Sequence, residues 1–175
     1  MSKENKLRIA VLKNAINICT TLATKIHLEA ELNELMKHQE NECSCDVCKN
    51  MCKTTPCLGT PEDISKIMLA GYGDKLAMTN WGTGVVVGTN DTFVEMIQPC
   101  MTPSGCAYLD EKGLCTLHDL GLKPTEGKLA NHSEKPVNDF KETINYKVAM
   151  SWVDEHGKNN PQDMVFKAAA KSLIK

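Results

Sequence analysis

The placement of cysteine constrains this chain more than any other feature. Eight of the nine cysteines fall into two tight groups. Cys43, Cys45, Cys48, Cys52 and Cys57 lie within fifteen residues, in the run CSCDVCKNMCKTTPC. Cys100, Cys106 and Cys115 form the second group, in CMTPSGCAYLDEKGLC, and His118 follows three residues later. Thiolates are soft donors suited to zinc, Fe–S clusters and Cu(I), and donors two to five residues apart on a turn can grip one metal ion. The first group also replaces helical periodicity with turn chemistry. The pattern therefore predicts cysteine-rich loops, stapled by metal, between regular elements.

Bulk properties narrow the alternatives. At 175 residues the chain suits one domain with an appendage and can bury a real core. A formal net charge of −2 supplies no basic field for nucleic acid or anionic lipid. Aromatic residues at 5% leave too little material for base-stacking platforms. The first apolar stretch, LRIAVLKNAINICTTLATKIHL, is broken by Lys13, Asn14, Asn17 and Lys25. It lacks the continuous apolar run of a secretory signal and is too polar to span a bilayer. These features predict a cytoplasmic chain with neither a nucleic-acid nor a membrane partner. Thiols stay reduced in the cytosol, which favours metal over disulfides, and so does an odd number of cysteines.

The expected fold class is mainly α, an α+β chain with one small β-hairpin. Residues 5–40 read as a long helix, because Ile9, Leu12, Ile16, Cys19, Ala23, Ile26 and Ala30 recur at steps of three and four. Cys19 sits inside that stripe as a small hydrophobe. The division is then an N-terminal helix over 1–40, for packing, homo-oligomerisation or a protein partner, and a cysteine-cluster domain over 41–175. A second helix begins at Thr60-Pro61-Glu62-Asp63, with Thr60 as N-cap, Asp63 completing a capping box and Gly71 as the residue after the cap. Ile64, Ile67 and Met68 form its expected buried face. VVV and FVEMI, flanking Gly88-Thr89-Asn90-Asp91, predict a hairpin over 84–97 that runs into Pro99-Cys100. From Pro136 the chain is helical again, with a stripe of Phe140, Ile144, Val148 and Trp152. Asn160-Pro161 starts a last helix bearing Met164, Ala168 and Leu173.

Within the first cluster, Cys45-x2-Cys48 has knuckle spacing, and Cys52 and Cys57 follow within reach of the same point. The second CxxC of a zinc ribbon is missing, and the spacing is not that of bacterial or plant-type ferredoxins. Spacing alone leaves zinc and Fe–S open, with zinc preferred as the commoner structural use of such loops. Cys43 either joins the centre or is left spare. Cys115-Thr-Leu-His118 has ligand spacing, although a histidine beside Asp119 also suits a surface hydrogen bond. The candidate metal ligands are Cys43, Cys45, Cys48, Cys52, Cys57, Cys100, Cys106, Cys115 and His118. Glu126, Asp119, Lys49 and Lys53 read as solvated loop charges.

CDVCKNMCKTTPCLGTPEDI and CAYLDEKGLCTLHDLGLKPTEGKLA together resemble the bacterial YkgJ-type cysteine-cluster family, a zinc- or iron-chelating domain. Flagellin lysine N-methylases carry a related cysteine-rich module. The resemblance covers roughly residues 45–132 and implies family-like ligand positions at Cys45, Cys48, Cys52, Cys57, Cys106 and Cys115, and at Cys100. Many such relatives have a further cysteine three residues after the proline of a KP step. Here that position, counted from Pro124, is Gly127. His118 or Cys43 is the substitute the resemblance leaves. The function that follows is a zinc- or iron-binding module of structural or interaction type. The alternative is an Fe–S or open-zinc enzyme acting on a protein or peptide. A phosphate loop, H-E-x-x-H and the zinc deaminase signature are all missing from the sequence.

Overall fold

A computed structural model describes residues 46–82, 93–129 and 143–174. The expected helix over 5–40, Cys19, Cys43, Cys45, the VVV segment with its turn, and Phe140 lie outside the described residues. In chain order, α1 spans Asp46–Thr54 and α2 Pro61–Leu69, and a 3-10 turn over Gly73–Lys75 leads into β1, Leu76–Gly82. Next come β2 (Phe93–Pro99), β3 (Met101–Thr102), β4 (Gly105–Cys106), α3 (Thr125–Leu129), α4 (Ile144–Met150) and α5 (Pro161–Leu173).

Helix α2 starts as the sequence dictates. The Thr60 hydroxyl accepts from the Asp63 N–H at 3.3 Å, and the Asp63 carboxylate accepts from the Thr60 N–H at 3.0 Å. This reciprocal pair satisfies two backbone donors that a helix start otherwise strands. At the other end, Gly71 N–H donates to Met68 C=O and Tyr72 N–H to Ile67 C=O, both at 3.0 Å. Those two bonds make a Schellman stop, and it needs the left-handed backbone of Gly71, φ +86°. Ile64 and Ile67 are fully buried, but Met68 is 49% exposed, so the buried face is narrower than expected.

β1 and β2 pair antiparallel, with Met78 opposite Ile97 and Asn80 opposite Glu95. FVEMI is a strand, as its composition predicts, but its described partner is LAMTNWG. Along β2, Val94, Met96 and Gln98 point inward and Phe93 and Glu95 outward. In β1, by contrast, Ala77, Met78, Thr79 and Asn80 are all exposed. With both faces wet, β1 carries no period-two alternation for a sequence reading to find. β3 and β4 form a second antiparallel pair, and an isolated bridge joins Leu109 to Cys115.

Two antiparallel sheets and short helices make the described residues α+β. The mainly α expectation with a single hairpin is thus corrected. Its error lies in the second cysteine segment and in LAMTNWG: both form strands without an alternating apolar pattern to announce them.

The core gathers Ile64, Ile67, Val94, Met96, Tyr108, Leu117, Val148 and Trp152. α2 packs against α5, and β2 contacts α2, α4 and α5. Polar groups inside are paired. Gln98 is 1% exposed, and its side-chain amide both accepts from Gly59 N–H at 2.8 Å and donates to Gly59 C=O at 3.0 Å. The Trp152 indole N–H donates to the same carbonyl at 2.8 Å. The loop after Cys57 is thereby tied to both β2 and the turn after α4. Asn160 caps α5 through the Asp163 N–H, as expected; Ala168 on that helix is buried and Leu173 is 76% exposed.

Candidate metal centre

Helix α1 carries Cys48 and Cys52 on its backbone; the Cys48 side chain lies outside the described set. The helix ends at Thr54, whose hydroxyl donates to Met51 C=O at 3.0 Å. Proline at 56 cannot continue a helix and disfavours helical geometry at Thr55. The chain therefore turns within four residues and brings Cys57 back to Cys52. The two sulfurs lie 3.7 Å apart.

Cys57 is held from behind by α3. A Cβ built on Gly127 would stand 2.9 Å from the Cys57 sulfur, closer than real side chains pack. Only glycine lets this thiol lie directly against the α3 backbone. One residue on, Leu58 N–H donates to a Glu126 carboxylate oxygen, and Leu58 C=O accepts from Glu126 N–H at 3.0 Å. The other Glu126 oxygen accepts from the Asn145 amide at 2.8 Å. Asp63 anchors the same helix by accepting from the Thr125 N–H at 2.9 Å and its hydroxyl at 2.6 Å. Glu126 is thus a half-buried, hydrogen-bonded positioning group, and its assignment as a solvated loop charge is corrected.

A second glycine brings the two cysteine groups together. Gly105 has φ +115°, and a Cβ there would meet the Lys53 Cα at 2.8 Å and the Cys52 carbonyl oxygen at 3.1 Å. β4 therefore rests on the backbone of α1, which places Cys106 beside the Cys52 turn. Cys100 joins through β3 and β4, since Ala107 N–H donates to Cys100 C=O at 2.8 Å. Cys115 returns by way of an Asp110 turn, in which the Asp110 carboxylate accepts from the N–H groups of Lys112 and Leu114, both at 2.8 Å. The same D-E-x-G turn recurs at Asp154, which accepts from His156 and Lys158.

Electrostatics record the convergence. The Cys57 S–H hydrogen bond lowers the Cys52 thiol to about 7, opposed by burial and aided by the Lys123 ammonium. Cys57 is correspondingly pushed well up, first by that hydrogen bond and then by burial. Burial also raises Cys106 and Cys115, and the charge of Cys52 adds to both. Burial raises Glu126 against the hydrogen bonds from Leu58 and Asn145. Cys52 is the common member: its charge reaches Cys57, Cys106 and Cys115.

Cys52, Cys57, Cys100, Cys106 and Cys115 are free thiols. The Cys52–Cys57 separation is far beyond the ~2.05 Å of a disulfide. It matches the ~3.8 Å between two sulfurs on one tetrahedral zinc, given Zn–S bonds of about 2.3 Å. Two donors thus fit a shared metal. Among the described residues, no group of three or more His, Cys, Asp or Glu side chains is set to hold an ion. His118 is exposed in the turn after the buried Leu117, with its N–H donating to Cys115 C=O at 3.0 Å. Cys43 and Cys45 lie outside the described residues. Sequence reasoning missed the packing roles of Gly105 and Gly127. Spacing cannot reveal them, since each is defined by a contact with a distant segment. The chain matches no protein-family model, no curated protein and no solved structure. No helix among the described residues is long and apolar enough to cross a membrane.

Proposed function

We propose that this chain is a metal-binding cysteine-cluster module, with Cys52 and Cys57 as the first two ligands of a thiolate-rich centre. The observation that carries it is their 3.7 Å sulfur separation, the spacing of two thiolates on one tetrahedral ion. The remaining donors come from Cys45, Cys48, Cys100, Cys106 and Cys115, with Cys43 and His118 as the other candidates. Support comes from Gly105, which seats the second group on the Cys52 turn, and from the charge of Cys52 felt at Cys106 and Cys115. Zinc is the preferred ion and an Fe–S cluster the alternative. The resemblance to the YkgJ-type family agrees with that choice of metals. Position 127, where the resemblance expects another cysteine, abuts the Cys57 sulfur.

Bound metal adds to the packing of Leu58, Tyr108 and Leu117 and holds the thiol-bearing turns in one arrangement. The role is structural or interactive, in a reducing compartment such as the cytoplasm, with the N-terminal segment available for a partner or a second copy. Elemental analysis of anaerobically purified chain, with a visible spectrum, tests it. Stoichiometric zinc and no colour are expected. Absorption near 400 nm would replace zinc with Fe–S. Metal-free chain, or a Cys52→Ser Cys57→Ser double variant with unchanged metal content, would end the proposal.

A further inference from the structure

The Cys52–Cys57 pair differs from every other described thiol. It is the only described pair whose sulfurs approach within hydrogen-bonding range. Four residues, Lys53-Thr54-Thr55-Pro56, separate the two, and Lys53, Thr54 and Thr55 are exposed. Cys52 is half-buried in the last turn of α1, so solvent reaches its edge of the pair. Cys57 lies against the backbone of Gly127. Side-chain rotation and the short exposed turn are the freedoms that can change the distance between the two sulfurs. Disulfide formation requires that distance to shorten to about 2.05 Å.

We infer that Cys52 and Cys57 form an oxidisable dithiol, closed to a disulfide by a hydroperoxide, and that closure releases the metal the pair holds. The inference rests on the proposed metal reading for its second half only. In the first step the Cys52 thiolate attacks the peroxide O–O bond; a Cys52–S–O bond forms, and alkoxide or hydroxide departs and takes a proton. In the second, the Cys57 sulfur attacks the sulfenic sulfur, the S–S bond forms, and hydroxide leaves as water, taking the Cys57 proton in the free pair and a solvent proton in the metal-bound pair. Two thiols lose two electrons to one hydroperoxide, which ends as water and an alcohol, or as two waters. A disulfide sulfur is a far poorer donor than a thiolate, so two ligands are lost at once. Thiol reductant reverses both changes.

The test uses the full chain, purified anaerobically, with its zinc content measured first. Hydrogen peroxide is added stepwise, free zinc is read with a chromogenic chelator, and free thiols are then blocked by alkylation. Trypsin cuts after Lys49, Lys53 and Lys66, so the disulfide would join the separate peptides 50–53 and 54–66. These linked peptides are expected before any other cross-link, in step with zinc release, and reductant with added zinc should restore the starting state. A first cross-link elsewhere, over-oxidation of Cys52 without linkage, or linkage with zinc fully retained would overturn the inference. Chain that carries no metal yet links 50–53 to 54–66 first would defeat the metal reading and leave the dithiol standing.

Discussion

Around Trp152, the chain is held by apolar packing with its polar groups internally paired. Ile64, Ile67, Met96 and Val148 are fully excluded from water, and Gln98 spends both ends of its amide on Gly59. Around Cys52, the means are different. The segments that carry the thiols pack through glycines and hydrogen-bonded turns, and Met51, Met101 and Leu114 among them stay exposed. Folding must repay roughly 1–2 kcal/mol of backbone entropy per ordered residue, and the second region meets part of this by sending Leu58, Tyr108 and Leu117 into the shared core. Its glycines permit close approach without enforcing it. The proposed metal would hold together thiols that the glycines only allow to meet.

The largest test removes that metal. A structural zinc site contributes on the order of 10 kcal/mol, so chelation should unfold the loops at 46–59 and 100–118. Amide exchange there should become fast, while the amides of α2, β2 and α5 stay protected. Uniform loss of protection would show that the two regions are one cooperative unit. The same centre should weaken in acid. Cys57, Cys106 and Cys115 all hold their protons more tightly than a free thiol, so metal binding must expel them. Affinity should therefore fall steadily from pH 8 to 6. Cys52, at about 7, adds to that slope only near and below neutrality. A flat affinity profile across this range would remove these thiols from the ligand set.

Trp152→Ala attacks the other region. It opens a large cavity and removes one of the two donors to the Gly59 carbonyl, leaving Gln98, for a cost of about 3–5 kcal/mol. Denaturant melts should show it, with metal stoichiometry per folded chain unchanged. A loss below ~1 kcal/mol would mean that the core can collapse around the hole.

Gly127→Ala sits on the seam between the regions. Its methyl group would displace the Cys57 sulfur, so metal affinity should drop roughly 10–100-fold, as when support behind a ligand is disturbed. Competition against a zinc chelator measures this, and unaltered affinity would uncouple Cys57 from the centre. Thr60→Ala is the smallest change. Loss of one cap bond should lower stability by about 1 kcal/mol and leave metal affinity alone.

The sequence by itself determined the local events. Thr60 and Asp63 specify the start of α2 and Gly71 its end, Asn160-Pro161 specifies the start of α5, and FVEMI reads as a strand, because each signal acts over three to five residues. The cysteine groups were equally plain, and with them the expectation of soft-metal chemistry. Tertiary structure alone decided which thiols meet. Pairing β2 with LAMTNWG, a strand wet on both faces, leaves no periodic trace. Seating β4 on α1 depends on Gly105 meeting Lys53, fifty-two positions earlier, and Cys57 is positioned by Gly127, seventy positions later. Half-buried Glu126 looked like a solvated charge because its partners, Leu58 and Asn145, are distant in sequence. Caps and turns are properties of neighbours along the chain, whereas a meeting of thiols and a half-buried, paired carboxylate are properties of neighbours in space.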